Sequence, residues 1–203
     1  MTSGTEPAGF GPTVRLVVVR LHNGDEVTIR PIRPEDKPLL EAGMAALSAE
    51  SAYRRFLAPK KRLTPTELHY LTEVDFRDHV AYVAVSASAP QTLLGVARWI
   101  RCAGEPDAAE IAFLVSDGLH GEGLGAALAA ALADAARARG IARFVATTLP
   151  HNVAAHRLLA GLGPRLSTRV EGGMHELRVE LGPPAAPQAR TTSSTPAPIG
   201  TSA

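Results

Sequence analysis

The chain has 203 residues, which sets one domain with tails as the expectation, and 45% of them are apolar, enough to build a core. Aromatics are only 4%, so the core falls to Leu, Val, Ile and Ala, and a net charge of +1 gives no electrostatic case for nucleic acid or an acidic surface as partner. Cys102 is the sole cysteine, which excludes an intramolecular disulfide and a cysteine zinc cluster; with no apolar run near the ~20 residues of a membrane helix and no signal-peptide start, the expectation is a soluble cytoplasmic protein away from the membrane.

In chain order, residues 1–13 are mostly Gly, Pro, Thr and Ser with little to bury and are expected to be a disordered tail. The folded domain is expected over residues 14–181, followed by a Pro/Ala/Thr/Ser-rich tail over 182–203. Two β-rich runs, residues 14–21 and 26–32, flank Asn23-Gly24, a strong hairpin signal. Pro34-Glu-Asp-Lys opens a helix over Leu39, Leu40, Met44 and Leu47. Ser48 caps a second, which carries Tyr53, Arg54, Arg55 and Phe56, and Thr64-Pro-Thr-Glu67 has the chemistry of a capping box for a third.

Three strands follow at 79–85, 92–100 and 108–115, joined by short turns that predict an antiparallel meander. A glycine-rich turn comes next, then a helix to Arg139 whose Leu124, Leu128, Leu132 and Ala135 recur at helical spacing. Gly140 stops that helix, and residues 141–149 form another strand, parallel to its predecessor because a helix connects the two. A last helix at 153–160 and two strands at 165–170 and 175–181 close the chain. The fold class is thus α/β (α+β): a mixed, mostly antiparallel sheet with one central parallel βαβ crossover and helices on both faces.

Gly121, Gly123 and Gly125 alternate just before a helix begins. Glycines let backbone N–H groups approach a ligand with no side chain in the way, and a helix start offers unpaired N–H groups and the positive end of the dipole. Together they predict a phosphate site. Gly121-Glu-Gly-Leu-Gly-Ala126 fits the dinucleotide fingerprint. That reading expects an acid on the ribose about 20 residues on, at the end of the next strand, and a parallel sheet. The next strand ends Ala146-Thr-Thr-Leu149, and the preceding strands predict antiparallel pairing, so a dinucleotide is disfavoured. No Lys-Ser or Lys-Thr follows the glycines, which excludes a P-loop.

The run Asp117-Gly-Leu-His-Gly-Glu-Gly-Leu-Gly125 resembles the acyl-CoA-binding motif of the GNAT superfamily of N-acetyltransferases, Gln/Arg-x-x-Gly-x-Gly/Ala, and Leu149-Pro-His-Asn152 with Leu158 and Gly163 is similar to its second motif. Val27-Thr-Ile-Arg-Pro-Ile-Arg-Pro-Glu-Asp36, Ser51-Ala-Tyr-Arg-Arg-Phe56 and Val74-Asp-Phe-Arg-Asp-His-Val80 are most similar to bacterial protein lysine acetyltransferases of that superfamily, whose GNAT domain is often fused to a regulatory domain. The resemblance implies acetyl-CoA as co-substrate. Its pyrophosphate would lie on the turn formed by His120, Gly121, Glu122, Gly123, Leu124, Gly125 and Ala126. Its pantetheine would run beside Phe113, Leu114 and Val115 as an added strand, with the Asn152 amide bonding it; Asn152 is equally suited to cap a helix.

Glu110 is the only charge between Ala108 and Ser116, in a strand expected to be covered on both faces. Burial lifts a carboxylate's pKa towards general-base territory, and the resemblance implies a base at this position to take the proton from an acceptor ammonium. Two departures stand out: Glu122 puts a negative charge beside the expected pyrophosphate, and Leu159 stands where many members place a tyrosine that protonates the leaving thiolate. The expected reaction is direct acetyl transfer to a primary amine, a protein lysine on the resemblance. A small-amine enzyme and a non-catalytic acyl-CoA-binding module are the alternatives. His79 is expected to be a core or capping residue, and the basic run Arg54, Arg55, Lys60, Lys61 and Arg62 a solvated face. The histidines show no H-x-x-x-H pattern, so no metal is expected. No oligomer interface is legible.

Overall fold

The computed structural model describes residues 16–182. The two expected tails (Gly182 apart) and the first residues of the expected first strand, Val14 and Arg15, lie outside the described residues.

Eight strands form one sheet in the order β1-β2-β3-β4-β5-β6-β8-β7. The strands are β1 (Val17–Arg20), β2 (Glu26–Pro31), β3 (His79–Ser86), β4 (Leu93–Cys102), β5 (Glu105–Val115), β6 (Arg143–Thr148), β7 (Arg165–Glu171) and β8 (Met174–Glu180). Five α-helices connect them: α1 (Lys37–Ala45), α2 (Ala49–Phe56), α3 (Pro65–Thr72), α4 (Leu124–Arg137) and α5 (Val153–Ala160). Every neighbouring pair is antiparallel except β5 and β6, which flank α4 and run parallel.

Local chemistry accounts for the elements. Gly24 turns the first hairpin with φ +91°, a conformation that costs glycine little. Ser48 Oγ accepts from the Ser51 N–H at 3.1 Å to start α2, and Thr64 and Glu67 complete a capping box at α3. Arg30 at the end of β2 grips Asp36 with two hydrogen bonds of 2.7 Å, and the Arg33 N–H donates to the same carboxylate at 2.8 Å. This closes the turn into α1. One boundary differs from expectation: β5 begins at Glu105, inside the Gly-Glu-Pro-Asp stretch taken as turn. Gly104, with φ +82°, lets the chain reverse within a tighter hairpin, and the Pro106 carbonyl accepts from the Arg101 side chain.

Strand alternation divides the core into two. Val80, Tyr82 and Ala84 of β3 face α4 and α5, packing with Trp99, Phe144, Leu124, Leu128 and Leu132. Ala81, Val83 and Val85 face the other way, against Leu39 and Leu40 of α1 and Leu68 of α3. Helices therefore lie on both faces; on the second, α1 packs against β4 and α2 reaches β5, yet Glu110 of β5 stays exposed.

Candidate functional site

The parallel ladder between β5 and β6 is short. It pairs Ala108 with Arg143, Ala109 with Phe144 and Glu110 with Val145, and stops there. β6 continues alongside β8 to Thr148, while β5 continues alongside β4 to Val115. The two strands part beyond Glu110, so residues 111–115 turn an unpaired backbone edge to the gap. Phe113, Leu114 and Val115 lie on that edge. An unpaired edge offers a row of N–H and C=O groups to any extended partner.

The glycine loop sits at the end of this edge. Gly121 and Gly123 have φ of +85° and +91°, and Gly123 is the residue before α4. The His22 N–H donates to the Glu122 carbonyl at 3.2 Å, and the His22 ring lies against the space above Gly123, where an added Cβ would come within 3.4 Å of it. The first hairpin thereby braces the loop from behind. Among the described residues, the N–H groups of Gly121, Gly123, Leu124, Gly125 and Ala126 have no protein acceptor. Ala127 is the first to close a helical bond, to the Gly123 carbonyl at 3.1 Å. Five unspent donors at a helix start suit an anion. Asp117 secures the other side of the loop: its carboxylate accepts from the Ser48 N–H at 2.8 Å, from the Ser48 hydroxyl and from the Ser51 hydroxyl. These bonds hold it below the ordinary aspartate range and tie the loop to α2.

The other predicted residues fall around this frame. His120 is exposed, and its Nε2 lies 3.2 Å from the Val115 carbonyl at the end of β5. The Glu122 side chain is half-exposed. Asn152 caps α5, its Oδ1 accepting from the Ala155 N–H at 3.2 Å. Its Nδ2 has no partner among the described residues. Leu159 is 1% exposed in the α4–α5 core, so a tyrosine there would bury its hydroxyl. His79 is a core residue as expected, 9% exposed, with its ring centroid 5.2 Å from that of Tyr70 and the two rings tilted by 40°.

Glu110 corrects the reading made of it. Its strand is only partly covered on the second face: α2 reaches β5, but the Glu110 side chain is exposed between buried Ala109 and Ile111. Glu110 instead lines a cleft of about 270 Å³ at the point where β5 and β6 part. Phe56, Leu63, Leu71, Ile100 and Ala112 make its apolar wall. Arg55, Arg98 and Glu67 complete the charged lining.

Two of these residues escaped the sequence reading. Arg98 sits between Ala97 and Trp99 on a central strand and is 4% exposed; a lone charge within an apolar strand is the signal that marks it. The expectation of a solvated basic face holds for exposed Lys61 and Arg62, whereas partly buried Arg54 pairs with Glu50 and partly buried Lys60 with Glu67. Arg55 stands three residues after buried Ala52, on the same face of α2, and looks into the cleft. The arrangement joins a loop of unspent N–H donors, a free strand edge, and a cleft with an apolar wall and one unengaged carboxylate.

Residues 46–163 match the model of the acetyltransferase (GNAT) family. The chain is 34% identical over 147 residues to acetyltransferase Pat of Mycolicibacterium smegmatis, an alignment that covers 72% of this chain and 44% of Pat. It is 31% identical over 147 residues to an acetyltransferase of Pseudomonas aeruginosa, covering 72% of this chain and 78% of that one. The GNAT domain of S. lividans PAT superposes with a TM-score of 0.75 at 33% identity, over 87% of this chain and all of that domain. The chain thus spans less than half the length of Pat.

Proposed function

The chain belongs to the GNAT acetyltransferase family; we propose that it is an acyltransferase whose residues 14–181 form one catalytic domain that moves an acetyl group from acetyl-CoA to a primary amine, a protein lysine by the resemblance of its motifs to bacterial protein lysine acetyltransferases. The observation that carries this is the end of the β5–β6 ladder at Glu110. It puts a free strand edge, five unspent N–H groups and an exposed carboxylate on successive parts of one path.

The pyrophosphate binds the N–H groups of the loop from Gly121 to Ala126. The pantetheine extends along Phe113, Leu114 and Val115 as an added strand and takes a hydrogen bond from Asn152 Nδ2. This mode uses backbone groups, so it tolerates His120 and Glu122, side chains unusual at those positions. The acceptor's aliphatic stem lies on the apolar wall of the cleft, which brings its nitrogen to Glu110. Glu110 takes a proton from the ammonium, and the freed nitrogen lone pair attacks the thioester carbon. The C–N bond forms as the C–S bond breaks, the electron pair leaves on sulfur, and the nitrogen releases its second proton to solvent to leave the neutral amide. No tyrosine stands ready at Leu159, so the thiolate leaves unassisted, as a thiol acidic enough to ionise can.

Glu110→Gln tests the assignment. Turnover with acetyl-CoA and a lysine peptide falls by about a hundredfold or more, while the acetyl-CoA dissociation constant stays within about twofold, because the amide cannot take the proton but fills the same space. Unchanged turnover from pH 6 to 9 would overturn Glu110 as base. CoA release followed over a panel of proteins, peptides, polyamines and amino acids identifies the acceptor class.

A further inference from the structure

The charges in the acceptor cleft do not balance. Glu67 lines it, but both of its oxygens are spent: one accepts from Lys60 at 2.6 Å, the other from the Thr64 N–H and hydroxyl at 2.8 and 3.0 Å. These bonds hold Glu67 down to about 2. Arg98 is buried beneath the cleft, and among the described residues no carboxylate pairs with it. Its guanidinium donates to the Leu71 carbonyl at 3.2 Å from both terminal nitrogens, and to His79 Nε2 at 3.1 Å. Burial, then the like charge of Arg55, push it down to about 9. Arg55 has neither a hydrogen bond nor an ion pair among the described residues. Its guanidinium lies 5.0 Å from the Phe56 ring centroid, with Lys60 Nζ at 5.5 Å from the same ring. Desolvation lowers its pKa, and Glu110, too far for an ion pair, opposes the shift only through its field.

A buried cation without a counter-ion is costly, and a second cation beside it adds to the cost. Such a pair at the floor of an open cleft is relieved by an anion that arrives with the ligand. Arg55 is the guanidinium with donors to spare, and its planar fork matches a carboxylate. We propose that this cleft selects acceptors carrying a carboxylate close to the reacting amine, the carboxylate seating on Arg55 above Arg98 while the amine meets Glu110. This rests on the amine acetylation proposed above and adds what the acceptor must look like. The carboxylate is that of an acidic residue flanking a protein lysine, or the α-carboxylate of a free amino acid; the recognising chemistry is the same.

The test measures binding to the full chain loaded with CoA, which needs no turnover. End-blocked peptides with Glu, Gln or Lys beside a central lysine are titrated calorimetrically, as are free lysine and lysinamide. The expected preference for the carboxylate-bearing member is about tenfold, the worth of one charge-assisted hydrogen bond. Arg55→Gln removes the preference, Arg55→Glu reverses it towards the Lys-flanked peptide, and Arg55→Lys restores part of it. Arg54→Gln, whose guanidinium pairs with Glu50 outside the cleft, leaves the ratio unchanged. Thermal melts of each variant separate lost binding from lost folding. A preference confined to the peptides assigns the flanking residue; one confined to free lysine over lysinamide assigns the α-carboxylate. Equal binding of acidic and neutral ligands, or a preference that survives Arg55→Glu, overturns the proposal. Turnover is followed in parallel: an Arg55-dependent preference without acetylation keeps the anion site and overturns the amine reaction, and acetylation without the preference does the reverse.

Discussion

Acidification should destabilise this protein through one histidine. His79 is 9% exposed at the start of β3, and its Nε2 lies 3.1 Å from Arg98 Nη1. A guanidinium can only donate, so His79 must be neutral and accept there. Burial, then the positive charge of Arg98, lower its pKa from 6.5 to about 4, against the weaker opposing pull of Asp75. The unfolded chain therefore binds a proton between those values that the native state refuses. Stability is fully present above the unfolded value and is lost as pH falls towards the native one. Between pH 7.5 and 5 the loss is about 2 kcal/mol, and below both values it approaches about 3. Urea denaturation at pH 7.5 and 5.0, on wild type and His79→Gln, measures it. The variant is less stable at both pH values because its packing on Tyr70 is lost, so the comparison is between pH dependences. The variant should lose about 2 kcal/mol less than wild type on acidification. Equal losses would refute a neutral, buried His79 as the source.

Gly163→Ala should be severely destabilising. An added Cβ would lie 1.7 Å from the Glu180 carbonyl oxygen, a backbone atom that cannot rotate away. A cost of about 3 kcal/mol or more is expected, near 10 °C in melting temperature, and a melt shifted by less than about 2 °C would show that the 163–180 contact is looser than described. Glu122→Arg should change acetyl-CoA affinity by less than about twofold at physiological salt, because the half-exposed side chain at this position reaches solvent, where its charge is screened. Tightening by about tenfold would place the side chain over the pyrophosphate.

The fold was largely legible because its signals are local. Asn23-Gly24, the Ser48 and Thr64 caps, the leucine stripe of α4 and the alternating glycines each fix their own segment. What failed depended on coverage by distant elements. Whether a strand is covered on its second face is decided by where α1, α2 and α3 come to rest, and nothing within residues 108–115 records that α2 meets β5 yet leaves Glu110 exposed. Glu110 was chosen as the residue of interest, but its surroundings were misjudged for this reason. Arg55 is the opposite case. Its helical phase relative to Ala52 was present in the sequence, and reading five basic residues as one solvated run obscured it.

The division of labour between the two ends of β5 follows from one small residue on its neighbour. Gly95 on β4 pairs with Val115, and a Cβ there would meet Leu128 Cδ1 at 3.0 Å and the Leu114 carbonyl at 3.1 Å. Its bare backbone lets the first two turns of α4 settle close against the strands, with Leu124 and Leu128 fully buried. The helix start, and its unspent N–H groups, are thereby brought to the end of the free β5 edge. Both parts of that surface are main chain, which can grip a phosphate and an amide-bearing arm but has little to distinguish one acceptor from another. Discrimination must then come from side chains at the other end of the open stretch, where β5 leaves β6. There, Arg55, Arg98 and Glu110 are groups whose charge no side chain among the described residues cancels, and the chemistry of the acceptor should be sought in what balances them.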